Sequence, residues 1–359
     1  MIYALVLELA QRTPARQTVE RKAPRMLRVY LDQNKWIDLA RAATGHELGT
    51  QYGGALDAAR AASSSGEASF PLDLYRYMET GKRGDADSRT RLADFMFELS
   101  RQSTIARPHE LLPGEIDSAL NRRFGRPAFP RRPAVFGVGV THVASSLTLP
   151  PLDRSKLPSG HPFTSEEKLA DLERIFDRVV EHGLLRAGPE TARKMGLDVQ
   201  MRAIDDQQVA YEQSNAEYFE SLSLTGENLE RAVRFSDFAN ISAAVSEALE
   251  RVGMTWEGFT HGIGTGGVMS FMSELPTRNV VNVMRAAKFR QKQKWVRNDF
   301  NDIAALAVAV VHCDVVVTEK QWVHHLRQAG VDDRYGTTLL SDTSKLVEVL
   351  DAAEDDEPA

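Results

Sequence analysis

Apolar and polar positions along this chain follow two rhythms. The segments Leu27-Arg28-Val29-Tyr30-Leu31, Ala68-Ser69-Phe70-Pro71-Leu72, Thr104-Ile105-Ala106, Asp314-Val315-Val316-Val317-Thr318 and Thr337-Thr338-Leu339-Leu340 are short, apolar and mostly β-prone, which predicts strands. Apolar positions three and four apart predict helices at 35–43, 52–63, 73–80 and 87–101, the last carrying Leu92, Phe95, Met96 and Leu99 on one face. Pro113-Gly114-Glu115-Ile116 opens another. Helical blocks follow near 165–185, 201–222 and 226–253 with no strand signal among them, then at 276–292, 299–312 and 320–329. Residues 121–160 are rich in Arg, Pro, Gly and Ser and read as loop, apart from the apolar stretch Ala134 to Val143. Strand signals therefore form two groups separated by a helical tract. The economical architecture is one α/β domain, a parallel sheet flanked by helices, whose parts at 26–120 and 276–350 enclose a mainly helical insertion at 121–275. Residues 1–25 read as an N-terminal arm and 351–359 as an acidic disordered tail.

Composition narrows the class. The chain has 359 residues, 42% hydrophobic and 26% charged, which is ordinary for a globular protein. The single cysteine, Cys313, excludes an internal disulfide and a cysteine-based zinc site, and points to a reducing compartment, with the cytoplasm as default. No apolar run approaches the ~20 residues of a membrane span. Met1 to Leu9 is apolar but carries Glu8 and lacks a basic start, which argues against a signal peptide. The net charge of −6 supplies no global field for nucleic acid, so phosphate binding must use local patches.

The candidate chemistry is acidic. Asp32 stands at the end of the first strand and Glu319 at the end of the Val315-Val316-Val317 strand. In an open parallel sheet, ligands bind just beyond the carboxyl ends of strands. Glu79, Asp299 and Asp302 occupy helix-like settings, with Asp299 and Asp302 spaced to share a face. Convergent acids without a histidine partner suit a hard cation, Mg²⁺ or Mn²⁺. Asn34 and Thr318 are the expected neighbours that orient the acids, Asn34 by bonding Asp32. Each acid also has a bland reading: helix capping for Asp32 and Asp299, dipole stabilisation for Asp302, a solvent-facing position for Glu79. Glu115 is a weaker candidate for the same reason.

Here the chain resembles a known family. Tyr30-Leu31-Asp32-Gln33-Asn34 resembles the opening motif of PIN-domain nucleases. Asn298-Asp299-Phe300-Asn301-Asp302 with its apolar continuation resembles their later acidic helix, and Cys313 to Trp322 their last catalytic strand. Phe70-Pro71-Leu72 leading to Met78-Glu79-Thr80 resembles the segment bearing the family's glutamate. The likeness covers roughly 26–120 and 275–350, and departs at Glu319, where the family usually has Asp. It implies a PIN-like α/β/α fold and an endoribonuclease that uses Mg²⁺ or Mn²⁺, with Asp32, Glu79, Asp302 and Glu319 catalytic and Asp299 as a further ligand. A degenerate PIN-like binding or regulatory module and a structure-specific DNA nuclease remain open, as does a homo-oligomer or a regulatory partner.

Such an enzyme needs cations for its substrate. Lys288, Arg290, Lys292 and Lys294 are interleaved with Phe289 and Trp295 immediately before Asp299, a pattern suited to a single strand. Arg122, Arg123 and Arg126 form a second patch, and Lys82 and Arg83 follow Glu79. All these candidate ligands of the metal lie outside 121–275, so the insertion is expected to govern substrate choice. Gly262-Ile263-Gly264-Thr265-Gly266-Gly267 has dinucleotide spacing but no preceding strand, and reads as a flexible turn. His324-His325 reads as a surface pair and Cys313 as core.

Overall fold

The computed structural model describes residues 26–355 apart from 145–146, 148–149, 154, 156–165, 198–201 and 265, so the N-terminal arm lies outside the described residues. The first part of the chain builds β1 (Leu27–Leu31), α1 (Gln33–Ala43), α2 (Gly53–Ser65), β2 (Ala68–Ser69), α3 (Leu74–Gly81), α4 (Ala86–Ser100), β3 (Ser103–Ile105) and α5 (Pro108–Phe124). The middle adds β4 (Phe136–Val138), α6 (Val140–Val143), α7 (Glu166–Arg186), α8 (Pro189–Lys194), α9 (Arg202–Ser221), α10 (Gly226–Asn240), α11 (Ser242–Arg251), α12 (Trp256–Ile263) and α13 (Gly267–Ser273). The last part supplies α14 (Pro276–Arg290), α15 (Arg297–His312), β5 (Val315–Val317), α16 (Lys320–Gln328), α17 (Val331–Tyr335), β6 (Thr338–Leu340) and α18 (Leu346–Asp355).

The chain is a mixed α/β protein. Four parallel strands run in the order β2-β1-β5-β6, with Leu31 opposite Val317 and Val317 opposite Leu340. Beyond β2, Leu72 bridges Thr104 of β3 in parallel, and β3 pairs antiparallel with β4. Side chains alternate across a strand, so the central strands feed two cores. Val29, Leu31, Val315 and Val317 pack on one face with Trp36, Leu39, Phe95 and Met96 from α1 and α4. Tyr30, Val316 and Leu339 pack on the other with Met284, Leu306, Val310 and Leu326 from α14, α15 and α16. A third cluster joins Leu120 of α5 to Val245, Phe259 and Phe271 of α11–α13. No helix among the described residues is long and apolar enough to cross a membrane.

Several expectations are corrected. The tract 121–275 is mainly helical among its described residues, and the apolar stretch within it holds β4, which forms a two-stranded sheet with β3. It is not separate: Phe219, Leu229 and Val233 of α9 and α10 belong to the core of α14 and α15. Residues 121–124 continue α5 rather than opening a loop. The block 226–253 breaks at Ile241 into α10 and α11. Gly262 is not in a turn; it lies in α12, where a Cβ would meet the Phe124 ring at 2.4 Å. Residues 351–355 are not disordered but end α18, because Leu346 and Leu350 anchor that helix in the core. Residues 356–359 lie outside the described residues.

Candidate functional site

Parallel pairing of β1 with β5 sets Asp32 and Glu319 at the same end of the sheet, each just past its strand. The ladder continues into Asp32, whose N–H donates to the Val317 carbonyl at 3.0 Å. Asp32 is buried, and it is also the N-cap of α1: Oδ1 accepts the Gln33 N–H at 2.7 Å. Its other oxygen, Oδ2, accepts the Thr318 hydroxyl at 2.9 Å. The capping reading and the site reading thus describe the same side chain. Asn34 does not bond Asp32; from the first turn of α1 its amide reaches Glu319 Oε1 at 3.1 Å instead.

Glu79 reaches this place from α3, together with a residue that the acid motifs did not reveal. Arg76 is fully buried, and its Nη1 contacts Asp32 Oδ1. Nη2 lies 3.6 Å from Glu79 Oε1 and Nε lies 3.9 Å from Asp73 Oδ1. Asp73 caps α3 and accepts the Tyr30 hydroxyl at 2.6 Å. The spacing Asp73, Arg76, Glu79 is the available signal, since residues three apart share a helix face. A buried guanidinium requires such partners.

Asp302 completes the group. It makes no hydrogen bond or ion pair among the described residues. Burial, and then the negative charges of Asp32, Glu79 and Glu319, push its carboxyl up to about 8. Burial also raises Glu79, partly offset by Arg76. Burial raises Asp32 too, but Arg76, Gln33 and Thr318 outweigh it and hold the carboxyl below its ordinary value. Asp32, Asp73 and Glu79 therefore act on one arginine, with Asp302 also within its influence and Glu319 acting on Asp302. Lys82 is half-buried beside Glu79 and adds a weaker positive influence.

Other expected site residues do not join this group. Asp299 turns away into a structural role: Oδ2 accepts the Val296 N–H at 2.7 Å and Oδ1 pairs with Lys288 at 2.7 Å. Lys288 is consequently buried, and Trp295 is only 1% exposed, packed on Phe289 and stacked on Phe300. Lys288, held by Asp299, is not placed to meet a phosphate. Arg290 pairs with Glu230 and Lys292 with Glu220 on the surface. Arg122 and Arg123 hold Glu274, which ties α5 to α13, while Arg83 donates to Ser88 at 2.8 Å. Lys294 and Arg126 are exposed, with no partner among the described residues. Glu115 accepts from the Thr277 N–H and hydroxyl at 3.1 and 3.0 Å, far in role from the acid group.

The donor set of Asp32, Glu79, Asp302 and Glu319 is all oxygen and carries a surplus of negative charge, which fits Mg²⁺ or Mn²⁺ chemically. As arranged, however, no three Asp, Glu, His or Cys side chains among the described residues stand close enough to hold one ion. Arg76 bridges Asp32 and Glu79 instead. No protein-family model, curated protein or solved structure matches this chain.

Proposed function

We propose that the chain is a PIN-like endonuclease that hydrolyses phosphodiester bonds, in RNA, with Mg²⁺ or Mn²⁺ held by Asp32, Glu79, Asp302 and Glu319. One observation supports the reading: carboxylates from four separate segments act electrostatically on one another near the carboxyl ends of paired parallel strands, and Asp302 has no hydrogen-bond or ion-pair partner among the described residues. RNA as substrate rests on the order of the motifs and their likeness to that family. A bound dication would lower the pKa of a water and neutralise charge on the phosphate. The chain's own residues have distinct parts. Thr318 and Arg76 fix the Asp32 rotamer, Asn34 and Gln321 hold Glu319, and α15 presents Asp302. Lys82, Lys294 and Arg126 are the remaining candidates for phosphate contact.

The Arg76–Asp32 pair favours a second reading, a catalytically silent module in which the arginine stands where a metal would. Cleavage of labelled single-stranded RNA and DNA with Mn²⁺, Mg²⁺ or EDTA separates the two. The nuclease reading expects dication-dependent cuts of RNA, reduced at least ~100-fold in Asp302→Asn with its melting temperature retained. No cleavage by the wild type, together with no Mn²⁺ heat in calorimetry, would leave the silent module. Cleavage confined to DNA would change the substrate and keep the site.

A further inference from the structure

A cavity of about 760 Å³ opens between α3, α5, α9, α10, α14 and α15. That volume is in the range of small-ligand sites, roughly 300–1,000 Å³. Most charges in its wall are already matched. Asp237 pairs with Arg278, and Glu212 with Arg285 at 2.7 Å. A neutral group is left over. Asn301 lines the cavity, is 5% exposed, and its amide bonds no described residue. Its amide atoms are not sealed from solvent, so a ligand in the cavity can hydrogen-bond them. The side chain offers an acceptor and a donor side by side, the complement of a base edge with the same pair. Tyr211 and Phe300 line the same space, and aromatic faces of this kind stack on bases.

We propose that this cavity is a nucleobase pocket, in which Asn301 reads the base edge and Tyr211 and Phe300 hold its faces. The inference deepens the nuclease reading and rests on it for biological sense. Asn301 directly precedes Asp302 on α15, and Met78, also in the wall, directly precedes Glu79 on α3. Base recognition and the acid group therefore share two helices.

The test is binding, not cleavage. Adenosine, cytidine, guanosine and uridine are titrated calorimetrically into the metal-free full chain, followed by short single-stranded RNA homopolymers. At least one nucleoside should bind with a Kd on the order of 0.1 mM, the scale set by the ligand efficiency of a molecule that size. Asn301→Leu should weaken it roughly tenfold or more while melting is unchanged, and Tyr211→Ala, at a half-exposed position, should weaken it as well. A homopolymer that binds more tightly than its nucleoside, through the same Asn301, identifies a base in a strand; binding by nucleosides alone identifies a small metabolite. The proposal is overturned if no nucleoside or homopolymer binds at millimolar concentration, or if both variants bind like the wild type. Loss of cleavage in Asp302→Asn touches neither outcome, so the pocket and the nuclease reading can fail separately.

Discussion

Two buried charge clusters in this molecule are built on opposite principles. In the helical layer, Asp237 accepts from Arg278 and Asn282 and lies 3.9 Å from Arg285, which also grips Glu212. Negative and positive groups there are balanced two against two. At the strand ends, Arg76, with only Lys82 to help it at Glu79, faces Asp32, Asp73 and Glu79, with Asp302 and Glu319 nearby. The balanced cluster is an ion-pair network that fastens α9 and α10 to α14. The unbalanced one has an electrostatic deficit that a further cation would relieve. What separates a fastening from a candidate site is thus not the presence of acids but the mismatch in their count.

The sharpest way to break the comparison is to unbalance the balanced cluster. Asp237→Leu takes the carboxylate from Arg278, leaves Arg285 with Glu212 alone, and should cost about 3 kcal/mol of stability by urea unfolding. Added Mn²⁺ should not restore any of it. An effect within ~0.5 kcal/mol would mean the network contributes nothing to holding the layers.

Next comes Arg76→Met, which removes the only arginine from the acid group. Melting without dications should fall by a few kcal/mol equivalents, and Mn²⁺ should recover more stability in the variant than in the wild type. Arg285→Met should lose stability without such recovery. Equal, small Mn²⁺ shifts in all three proteins would show that the acids do not respond to dications at all.

The smallest effect concerns Glu115, a lone acid outside both clusters. Burial pushes its carboxyl from an ordinary 4.5 up to about 7, although Thr277 and Arg278 pull the other way. The folded state therefore holds a proton that the unfolded state gives up. Its contribution to stability is full below about 4.5 and is lost as pH rises through about 7. Glu115→Gln should remove that slope, worth on the order of 1–3 kcal/mol between pH 5 and 8. Parallel stability curves for the two proteins would refute the assignment.

Much of the sheet was legible because β1, β3, β5 and β6 are short apolar runs bounded by polar residues, and their positions came within a residue or two. The strand β4 was not, since Phe136-Gly137-Val138 is partly exposed and gains its ladder only from β3, a partner that no local pattern names. The places of Asp32 and Glu319 just past strands, and of Asp302 near the start of α15, were legible from local pattern, whereas Glu79, late in α3, was picked out by the likeness of its motif. Asp299 misled because the same i, i+3 spacing serves equally to cap α15 and to reach Lys288. Lys288 and Trp295 misled because a basic, aromatic run reads alike whether its side chains face water or core. Arg76 was missed because an arginine among acids on a helix looks like an ordinary surface pair until burial is known.

The pairing of β1 with β5 bears on how the chain is synthesised. The middle of the sheet is β1 against β5, with Val29 opposite Val315. A ribosome adding roughly 5–20 residues per second needs about 15–60 s to cover that interval. Throughout it, one long edge of β1 has no native neighbour, and unpaired edges recruit other strands. Biogenesis of this chain should accordingly be sensitive to translation speed and to chaperones that shield apolar strands, to a degree that the finished protein, with β1 covered on both sides, does not betray.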